Sequence, residues 1–499
     1  MPESPTTPRY ATWFDCQDVA LTIALYAAFL SVAHLVGFRM SIPWDYFQLL
    51  DGPSLLAHPL GSLCFLHSQP PGLNLLLAIV LRVADALAMR PAPVAAACFV
   101  GLGLVGTLAL ARLAKALTGS RLVATLAVVA LLANPGFHVY GNLFFYEFLD
   151  AVLGLVLLAA TAGYLAHGRR ATLVGVSVVA AALALTRTLF HPVWAAAYVA
   201  MVIVLRGRLE PAARQRLAHG ALAAAVLLPA LLAWPLKNLL VFGRFTNASV
   251  VGYNIARAVP GCESLMLNVY VGTGVAPDAV LELGTAAAAW CGSAAQGVAV
   301  SPTKRGGSRN WNHVAFLAAS PALSRCGTRW RLDQPDAWLK KAAGQYAMWT
   351  RPTFVHPYDG ALLGPADPRW IAYATAWERT AFLDLRPAGE RLLPGLFVHR
   401  EAMIRRRPVP YTLFGVVVLP LLLALAAWQQ FRCPRSVRTA TAAAALLALL
   451  WPMAGACLTD GQEGNRMRFS TTPALLVLEL CLVGEVLRRR ARRGPSEGP

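Results

Sequence analysis

The sequence predicts an all-α protein that crosses a membrane many times. Of its 499 residues, 57% are hydrophobic and only 14% are charged, whereas a soluble protein carries about a quarter charged residues. Apolar runs of roughly 15 to 25 residues recur along the chain, and one helical crossing needs about 20 apolar residues. Composition and run length together therefore indicate a polytopic helical membrane protein.

The basic residues predict how this protein is oriented. The formal net charge is +19, but Lys and Arg stand in short clusters between apolar runs, such as Arg169–Arg170 and the tail at 488–493. This pattern favours the positive-inside rule over nucleic-acid binding. It predicts that both termini are cytoplasmic, and the abundance of Arg and Ala is typical of a bacterial protein. We therefore expect a multi-pass protein of the bacterial inner membrane.

About ten spans satisfy this charge distribution. The segment at 72–89 is apolar but contains Asn74, Arg82 and Asp85, so we interpret it as a juxtamembrane helix whose polar residues face water or headgroups. Counting it as a span would place the cluster at 112–121 on the outer side. The predicted spans cover residues 18–38, 93–110, 122–139, 148–165, 173–185, 193–205, 221–240, 411–431, 440–458 and 472–487.

The same topology divides the chain into three predicted parts. Residues 1–240 form an N-terminal transmembrane module, whose first outer loop is 39–91. Residues 241–408 form an outer-face domain of mixed, mostly helical structure. Residues 409–499 form the last transmembrane helices and a basic cytoplasmic tail.

Four of the nine cysteines fall on the predicted outer side, which is oxidising in many cells. We expect one disulfide among them, and the sequence leaves its pairing open. The four are Cys64, Cys262, Cys291 and Cys326.

Carboxylates recur at the predicted outer ends of the spans. Asp45 follows the first span in PWDYFQLLD, and a carboxylate there can accept a proton from an acceptor hydroxyl. Asp51 in the same stretch begins a DGP turn, which turn chemistry explains. Glu147 and Asp150 stand in FFYEFLD at the entry to a span, where acids are costly unless paired or hydrated. Stabilisation of a helix N-terminus is the alternative explanation for these two.

Basic and aromatic residues stand on the same predicted face. Arg187, Lys237, Arg466 and Arg468 lie at outer ends of spans, and guanidinium groups suit bidentate phosphate binding. Interfacial snorkelling is the alternative for each. Tyr46 could stack on a sugar or belong to an interfacial aromatic belt.

These motifs resemble the GT-C glycosyltransferases, in particular the bacterial relatives of protein O-mannosyltransferases and lipid A aminoarabinose transferases. WDYFQLLD supplies the first acid of that pattern at Asp45, and FFYEFLD supplies the second at Glu147 or Asp150. SQPPGLNLLLAI matches the proline pair before a juxtamembrane helix. TRTLFHP and EGNRMRF match two charged segments. The chain departs from the family at Tyr46, where a second acid is common, and at Gln69, where a lysine is common.

The resemblance implies an inverting transfer of a sugar from a polyprenyl-phosphate donor to an acceptor hydroxyl on the outer face. Asp45 would be the general base, with Glu147 and Asp150 as further catalytic acids. Arg187, Lys237, Arg466, Arg468, His67 and Tyr46 would bind substrate. The implied partners are that donor, a lipid, glycan or protein acceptor, and membrane lipids.

Three points stay open at this stage. No cofactor and no metal site are indicated, although a divalent metal on the phosphate stays open. The alternative functions are a transporter or flippase of lipid-linked solutes and a non-catalytic GT-C-like scaffold. A transporter would place its charges at mid-depth, whereas a transferase would gather Asp45, one of the later acids, and Arg466 or Arg468 at one outer site.

Overall fold

Helices form almost all of the chain that the computed structural model describes. The described residues are 15–46, 48–210, 213–257, 259–262, 277–354, 363–381, 398–399, 409–410, 412–432, 436–459 and 464–493. Two two-residue strands, Val398–His399 and Val409–Pro410, pair antiparallel, with Val398 opposite Pro410. The predicted all-α class is confirmed.

The helices are numbered here in chain order. They are α1 (Cys16–Leu35), α2 (Gly52–Ala57), α3 (Pro59–Phe65), α4 (Gly72–Ala86), α5 (Pro91–Thr118), α6 (Arg121–Ala133), α7 (Pro135–Gly141), α8 (Tyr146–His167), α9 (Arg170–Thr186), α10 (Pro192–Leu209), α11 (Ala213–Phe242), α12 (Val250–Ala256), α13 (Pro277–Cys291), α14 (Gly297–Val300), α15 (Val314–Asp333), α16 (Pro335–Trp349), α17 (Pro368–Ala381), α18 (Leu419–Arg432), α19 (Val437–Thr459), α20 (Gly464–Phe469) and α21 (Thr472–Arg493).

Six of the described helices are long and apolar enough to cross a membrane, namely α1, α5, α8, α10, α11 and α19. The pair α6 and α7 would make a seventh, broken span. Helix α9 and the segment Phe414–Gln430 are apolar but shorter. The protein is therefore a multi-pass membrane protein, while the count of ten spans stays a prediction.

Proline and asparagine produce the break between α6 and α7. Asn134 is extended, its side chain accepts a hydrogen bond from the Gly136 amide, and Pro135 opens α7. A residue before proline avoids the helical region, and proline suits the first turn of a new helix. The two axes consequently differ by 60°, which turns the chain towards the start of α8.

Helix α4 has the short length expected of a juxtamembrane helix, but one of its polar residues is buried. Asn74 was expected to face water or headgroups. Instead, its amide nitrogen donates to the Gln48 carbonyl at 2.9 Å, and its Oδ1 accepts from the Leu50 amide at 2.8 Å. A buried amide must find such partners, so Asn74 holds the backbone of Gln48 and Leu50 against α4.

The helices α12 to α17 belong to the predicted outer-face domain, which two disulfides cross-link. Cys262 pairs with Cys326 inside this domain, while Cys64 on α3 pairs with Cys291 at the end of α13. The expectation of one disulfide was therefore too low. The Cys64–Cys291 bond joins the first outer loop to the domain, which makes the two parts one unit.

Candidate active site

Two acids and two arginines form a buried ion cluster at the start of α8. Arg187 Nη1 lies 3.2 Å from Glu147 Oε1 and 3.7 Å from Asp150 Oδ2. Arg466 Nε lies 3.0 Å from the same Glu147 oxygen. Ser470 completes the cluster, because its hydroxyl donates to Asp150 Oδ2 at 3.3 Å and accepts from Arg187 at 3.4 Å.

The burial of this cluster is unusual for charged groups. The side chains of Glu147 and Asp150 are 0% exposed, and that of Arg187 is 8% exposed. Charges at such a position persist only when they are paired. The two negative charges of the carboxylates equal the two positive charges of the guanidinium groups. The carboxylates also hold the two guanidinium groups in place, where they could meet a bound anion.

Local chain geometry places each member of the cluster. Glu147 lies in the first turn of α8, where the helix dipole favours an acid, and Asp150 follows one turn later. Arg187 is extended directly after α9 ends, so its side chain leaves the helix axis and reaches α8. A Cβ on Gly72 would lie 2.8 Å from the Leu185 carbonyl oxygen. The Pro-Pro-Gly motif therefore fits closely against the helix end that carries Arg187.

Helix α20 separates the two predicted phosphate-binding arginines. Residues two apart on a helix point in nearly opposite directions. Arg466 accordingly reaches Glu147 and stacks over the Phe145 ring at 4.8 Å, whereas Arg468 donates to the Arg351 carbonyl at 2.9 Å and stacks over Phe414. The structure therefore brings Arg466, and not Arg468, into the cluster.

Asp45 lies in an exposed turn beside the cluster. The strand-like Ser41 pairs with Leu143 ahead of α8, with Phe144 N donating to the Ser41 carbonyl at 2.8 Å. Tyr46, which is 40% exposed, packs edge-on against Phe145 at 5.3 Å. Because Arg466 covers that same Phe145 ring, the Asp45 turn and the ion cluster share one aromatic wall.

Asp51 has the structural role that its DGP sequence indicates. Its Oδ2 accepts from the Ser54 amide and hydroxyl at the start of α2, at 3.1 and 2.6 Å. Its Oδ1 accepts from the Arg305 amide at 3.1 Å. Asp51 is thus the N-cap of α2 and ties it to the outer-face domain.

Lys304 is the site residue that sequence reasoning missed. It is 8% exposed, and its Nζ donates to the Trp44 and Tyr46 carbonyls at 2.8 and 2.7 Å. Burial lowers the pKa of Lys304 to about 8, although the charges of Asp45 and Asp51 oppose this. The two carbonyls bracket Asp45, so Lys304 fixes the turn that carries it. The sequence signal was faint: a single lysine in SPTKRGG, 258 residues away from Tyr46.

Asn312 makes a second connection from the same stretch of the domain. Its Nδ2 donates to the Phe65 carbonyl at 2.9 Å, and its Oδ1 accepts from the His67 and Ser68 amides at 2.8 and 3.1 Å. Residues of the domain therefore hold the first outer loop at two places, residues 44–46 and residues 65–68.

Two predicted substrate-binding residues lie in this framework instead of beside the cluster. Lys237 Nζ donates to the Cys64 and Leu66 carbonyls and to Asn238 Oδ1, so each of its three protons has a partner. His67 is fully buried, and its Nδ1 lies 2.8 Å from the Ser249 hydroxyl. Burial lowers the pKa of His67 to about 3, which keeps the ring neutral. Substrate binding by either residue stays a prediction.

A small, closely packed apolar crevice borders the cluster at Ser470. Leu157, Leu183, Trp194 and Ala448 line it, and Ser470 stands where it meets the ion cluster. In the described ranges, no three His, Cys, Asp or Glu side chains are grouped so that they could hold a metal ion. The absence of a resident cofactor stays a prediction.

Solved structures that are similar to this chain include two with a bound lipid phosphate. The archaeal oligosaccharyltransferase AglB from Archaeoglobus fulgidus, solved with an inhibitory peptide and a dolichol-phosphate, aligns with 95% of this chain at 12% identity and a TM-score of 0.41. The match covers 52% of AglB, so this chain spans about half of AglB's length.

The second similar chain is ArnT from Cupriavidus metallidurans, solved with undecaprenyl phosphate. It aligns with 94% of this chain and 78% of its own, at 13% identity and a TM-score of 0.31. No protein-family model and no curated protein matches the sequence.

Proposed function

We propose that this protein is an integral-membrane glycosyltransferase of the GT-C type. It moves a sugar from a polyprenyl-phosphate-linked donor to a hydroxyl of a lipid, glycan or protein acceptor on the outer face of the membrane. Asp45 is the general base, and the reaction inverts the anomeric carbon. The observation that carries the proposal is the buried cluster of Glu147, Asp150, Arg187 and Arg466 beside the Asp45 turn.

The arginines of the cluster suit a departing phosphate. The contacts of Arg187 with Glu147, Asp150 and Ser470 all pass through Nη1, so the other edge of its guanidinium is directed away from these partners. Arg466 approaches from a different helix and meets the same Glu147 oxygen. Charges held in advance in a site that excludes water stabilise a developing anion best. In this scheme Glu147 and Asp150 hold the two arginines in place.

The Asp45 turn suits the acceptor. Asp45 is exposed and can meet a hydroxyl that arrives from the aqueous side. Its neighbour Tyr46 packs against Phe145, the ring that Arg466 covers. A base on one side of the anomeric carbon and a phosphate site on the other is the arrangement that inversion needs.

The position of the charges favours this function over transport. Glu147 and Asp150 lie in the first two turns of α8, a helix long and apolar enough to cross the membrane, which favours a position near one membrane boundary, whereas a transporter gathers its charges around a mid-depth cavity. The orientation of the cluster towards the outer face rests on the distribution of basic residues.

Asp45→Asn tests the proposal directly. The substitution preserves shape and removes the proton acceptor, so sugar transfer should fall by roughly two to four orders of magnitude. The assay is mass analysis of surface glycans, glycolipids and glycoproteins in a deletion strain that expresses each variant at matched levels. Asp51→Asn is the control, because Asn is also a good N-cap, and it should retain most of the activity. Near-native transfer by Asp45→Asn would remove Asp45 as the base.

A further inference from the structure

The turn that carries Asp45 presents two aromatic side chains to the surface. Trp44 and Tyr46 flank Asp45 in the chain and are 39% and 40% exposed. The four Ile and Leu residues of the stretch 41–55 are all buried, with exposures of 9% or less, namely Ile42, Leu49, Leu50 and Leu55. A segment that lies in the membrane interface sinks Leu and Phe into lipid together with Trp. This stretch instead keeps its aliphatic side chains inside and exposes aromatic rings on either side of an acid.

Packing and hydrogen bonds fix both rings in place. The Trp44 ring lies against Gly52, where a Cβ would be 2.8 Å from Trp44 Cζ3, so only glycine admits the ring. Tyr46 packs edge-on against Phe145 at 5.3 Å. Lys304 Nζ donates to the carbonyls of both residues. A surface that is ordered in advance loses little entropy when it binds a ligand.

Polar groups stand directly beside the rings. Arg305 follows Lys304 in the chain, and its side chain is 70% exposed, with Nε 3.8 Å from Asp51 Oδ2. Asp45 is exposed as well. The turn therefore combines apolar ring faces with a hydrogen-bond acceptor at Asp45 and hydrogen-bond donors at Arg305. A sugar has the complementary surface, because one face of its ring carries C–H groups and its edge carries hydroxyls.

The backbone of the turn is poorly suited to a peptide acceptor. The amides of Trp44 and Tyr46 donate to the Ile42 and Pro43 carbonyls, both at 2.9 Å. Their carbonyls accept from Lys304. A peptide that binds as an added strand needs a row of free backbone groups, and those of Trp44 and Tyr46 are already engaged. The side chains remain to recognise the acceptor.

We propose that the acceptor is a glycan, and that Trp44 and Tyr46 bind one of its sugar rings with a hydroxyl at Asp45. This inference rests on the proposed transferase function and narrows its acceptor to carbohydrate. The negative faces of the aromatic rings attract the C–H groups of the sugar. The acceptor oxygen forms a bond to the anomeric carbon of the donor sugar, while the bond from that carbon to the phosphate oxygen breaks. The hydroxyl proton passes to Asp45, and the phosphate leaves with the electron pair.

Linkage analysis by mass spectrometry tests the class of acceptor. It compares the glycans, glycolipids and glycoproteins of a deletion strain with those of the same strain expressing the full-length protein. We expect the protein to restore a glycan in which the transferred sugar is linked to another sugar. A restored linkage to Ser or Thr of a protein, or to a lipid hydroxyl, would overturn the inference and leave the transferase function standing. If the deletion changes none of these molecules, the transferase function itself fails, and the inference fails with it.

Kinetics of ring variants test the residues. The truncated glycan purified from the deletion strain serves as the acceptor, and membranes with matched amounts of each variant supply enzyme and donor. Trp44→Ala and Tyr46→Ala should each raise the acceptor KM about tenfold, the scale of an aromatic contact, with kcat and the donor KM nearly unchanged. Trp44→Phe and Tyr46→Phe keep a ring and should recover most of the affinity.

Trp290→Ala is the matched control, because Trp290 is 63% exposed on α13, and it should leave the acceptor KM unchanged. A merely structural role of the two rings would lower protein abundance or kcat instead of raising the acceptor KM. Either that pattern or an unchanged acceptor KM in both Ala variants would overturn the assignment of these rings.

Discussion

Two ion clusters stand at different levels of the helix bundle, on different helices, and they differ in construction. The first is the candidate site around Glu147. The second joins Asp18 at the start of α1 to Lys115 on α5 and to Arg121 at the start of α6, with Arg121 Nε 2.8 Å from Asp18. Phe148, which follows Glu147, stacks on Phe99 of α5, so Phe99 marks the level of the first cluster on α5. Lys115 of the second cluster lies 16 residues further along α5, a distance of about 24 Å.

The difference lies in burial and in the backbone. In the Asp18 cluster, Lys115 and Arg121 are 26% and 46% exposed, and all three residues stand in ordinary helical turns. In the Glu147 cluster the acids are fully buried, and Arg187 enters from an extended residue after a helix has ended. A half-exposed triad at helix ends suffices to tie helices together. A fully buried tetrad that draws on an extended residue after a helix end is more than a tie requires, which favours a functional role.

The largest expected difference between the clusters is in stability. Glu147→Ala leaves two buried guanidinium groups without their shared partner, so it should lower the free energy of unfolding by about 3–5 kcal/mol. Asp18→Ala should cost about 1 kcal/mol or less, because water can solvate its partners. Denaturant unfolding in detergent measures both. Equal losses of unfolding free energy would show that the two clusters contribute equally to stability, which would contradict the difference in burial argued above.

The two arginines of α20 sharpen the comparison within the outer site. Arg466→Ala should lower sugar transfer about 100-fold, the usual cost of removing one group that stabilises a developing charge. Arg466→Lys should recover only part, because the planar fork is lost. Arg468→Ala removes the contact with the Arg351 carbonyl and should lower protein stability more than transfer. The reverse ranking would place Arg468 at the phosphate.

The disulfide between Cys64 and Cys291 should stabilise the outer part of the molecule. Replacing both cysteines by Ser should lower the free energy of unfolding by about 2–4 kcal/mol, since the bond closes a long loop. Cys98→Ser, at a free cysteine of α5, is the matched control. If the double variant unfolds like the control, the domain holds the loop through Lys304 and Asn312 alone.

The smallest expected effect concerns Lys304. Lys304→Met should lower turnover roughly tenfold, chiefly in kcat, because two carbonyls that bracket Asp45 lose their donor. Lys304→Arg should restore part of it. The control is the effect of Asp45→Asn on turnover, measured once with Lys304 and once in the Lys304→Met background. If Lys304 were merely structural, Lys304→Met would lower protein abundance, and the factor lost on Asp45→Asn would be the same in both backgrounds.

The same lysine predicts a pH dependence. Its pKa is about 8 in the folded protein and 10.5 ordinarily, so between these values the unfolded chain binds more protons. Stability contributed by this group therefore rises with pH over that window, by about 3 kcal/mol, and is constant below it. The Lys304→Met variant should lack this rise. An identical pH profile for both proteins would contradict the low pKa.

Local sequence determined the class of the protein and much of the candidate site. Apolar runs predict membrane helices wherever they lie. The predicted span 122–139 nevertheless runs through Asn134–Pro135, where the structure breaks the helix, although the residue before a proline avoids the helical region. Glu147 and Arg187 were identifiable because charged residues beside long apolar runs are costly and need a reason. The structural role of Asp51, in contrast to a catalytic one, was likewise identifiable from its DGP turn.

Only the tertiary structure decided which of these residues meet. Lys304 and Asn312 act on carbonyls and amides more than 240 residues away, and no local pattern records such a partner. The separation of Arg466 from Arg468 depended on a six-residue helix, α20, within a polar stretch where helix and loop are hard to distinguish. The pairing of the four outer cysteines likewise depended on which chain segments approach each other. The physical reason is that local propensity acts over a few residues, whereas ion pairs, buried amides and disulfides form only after distant segments have packed.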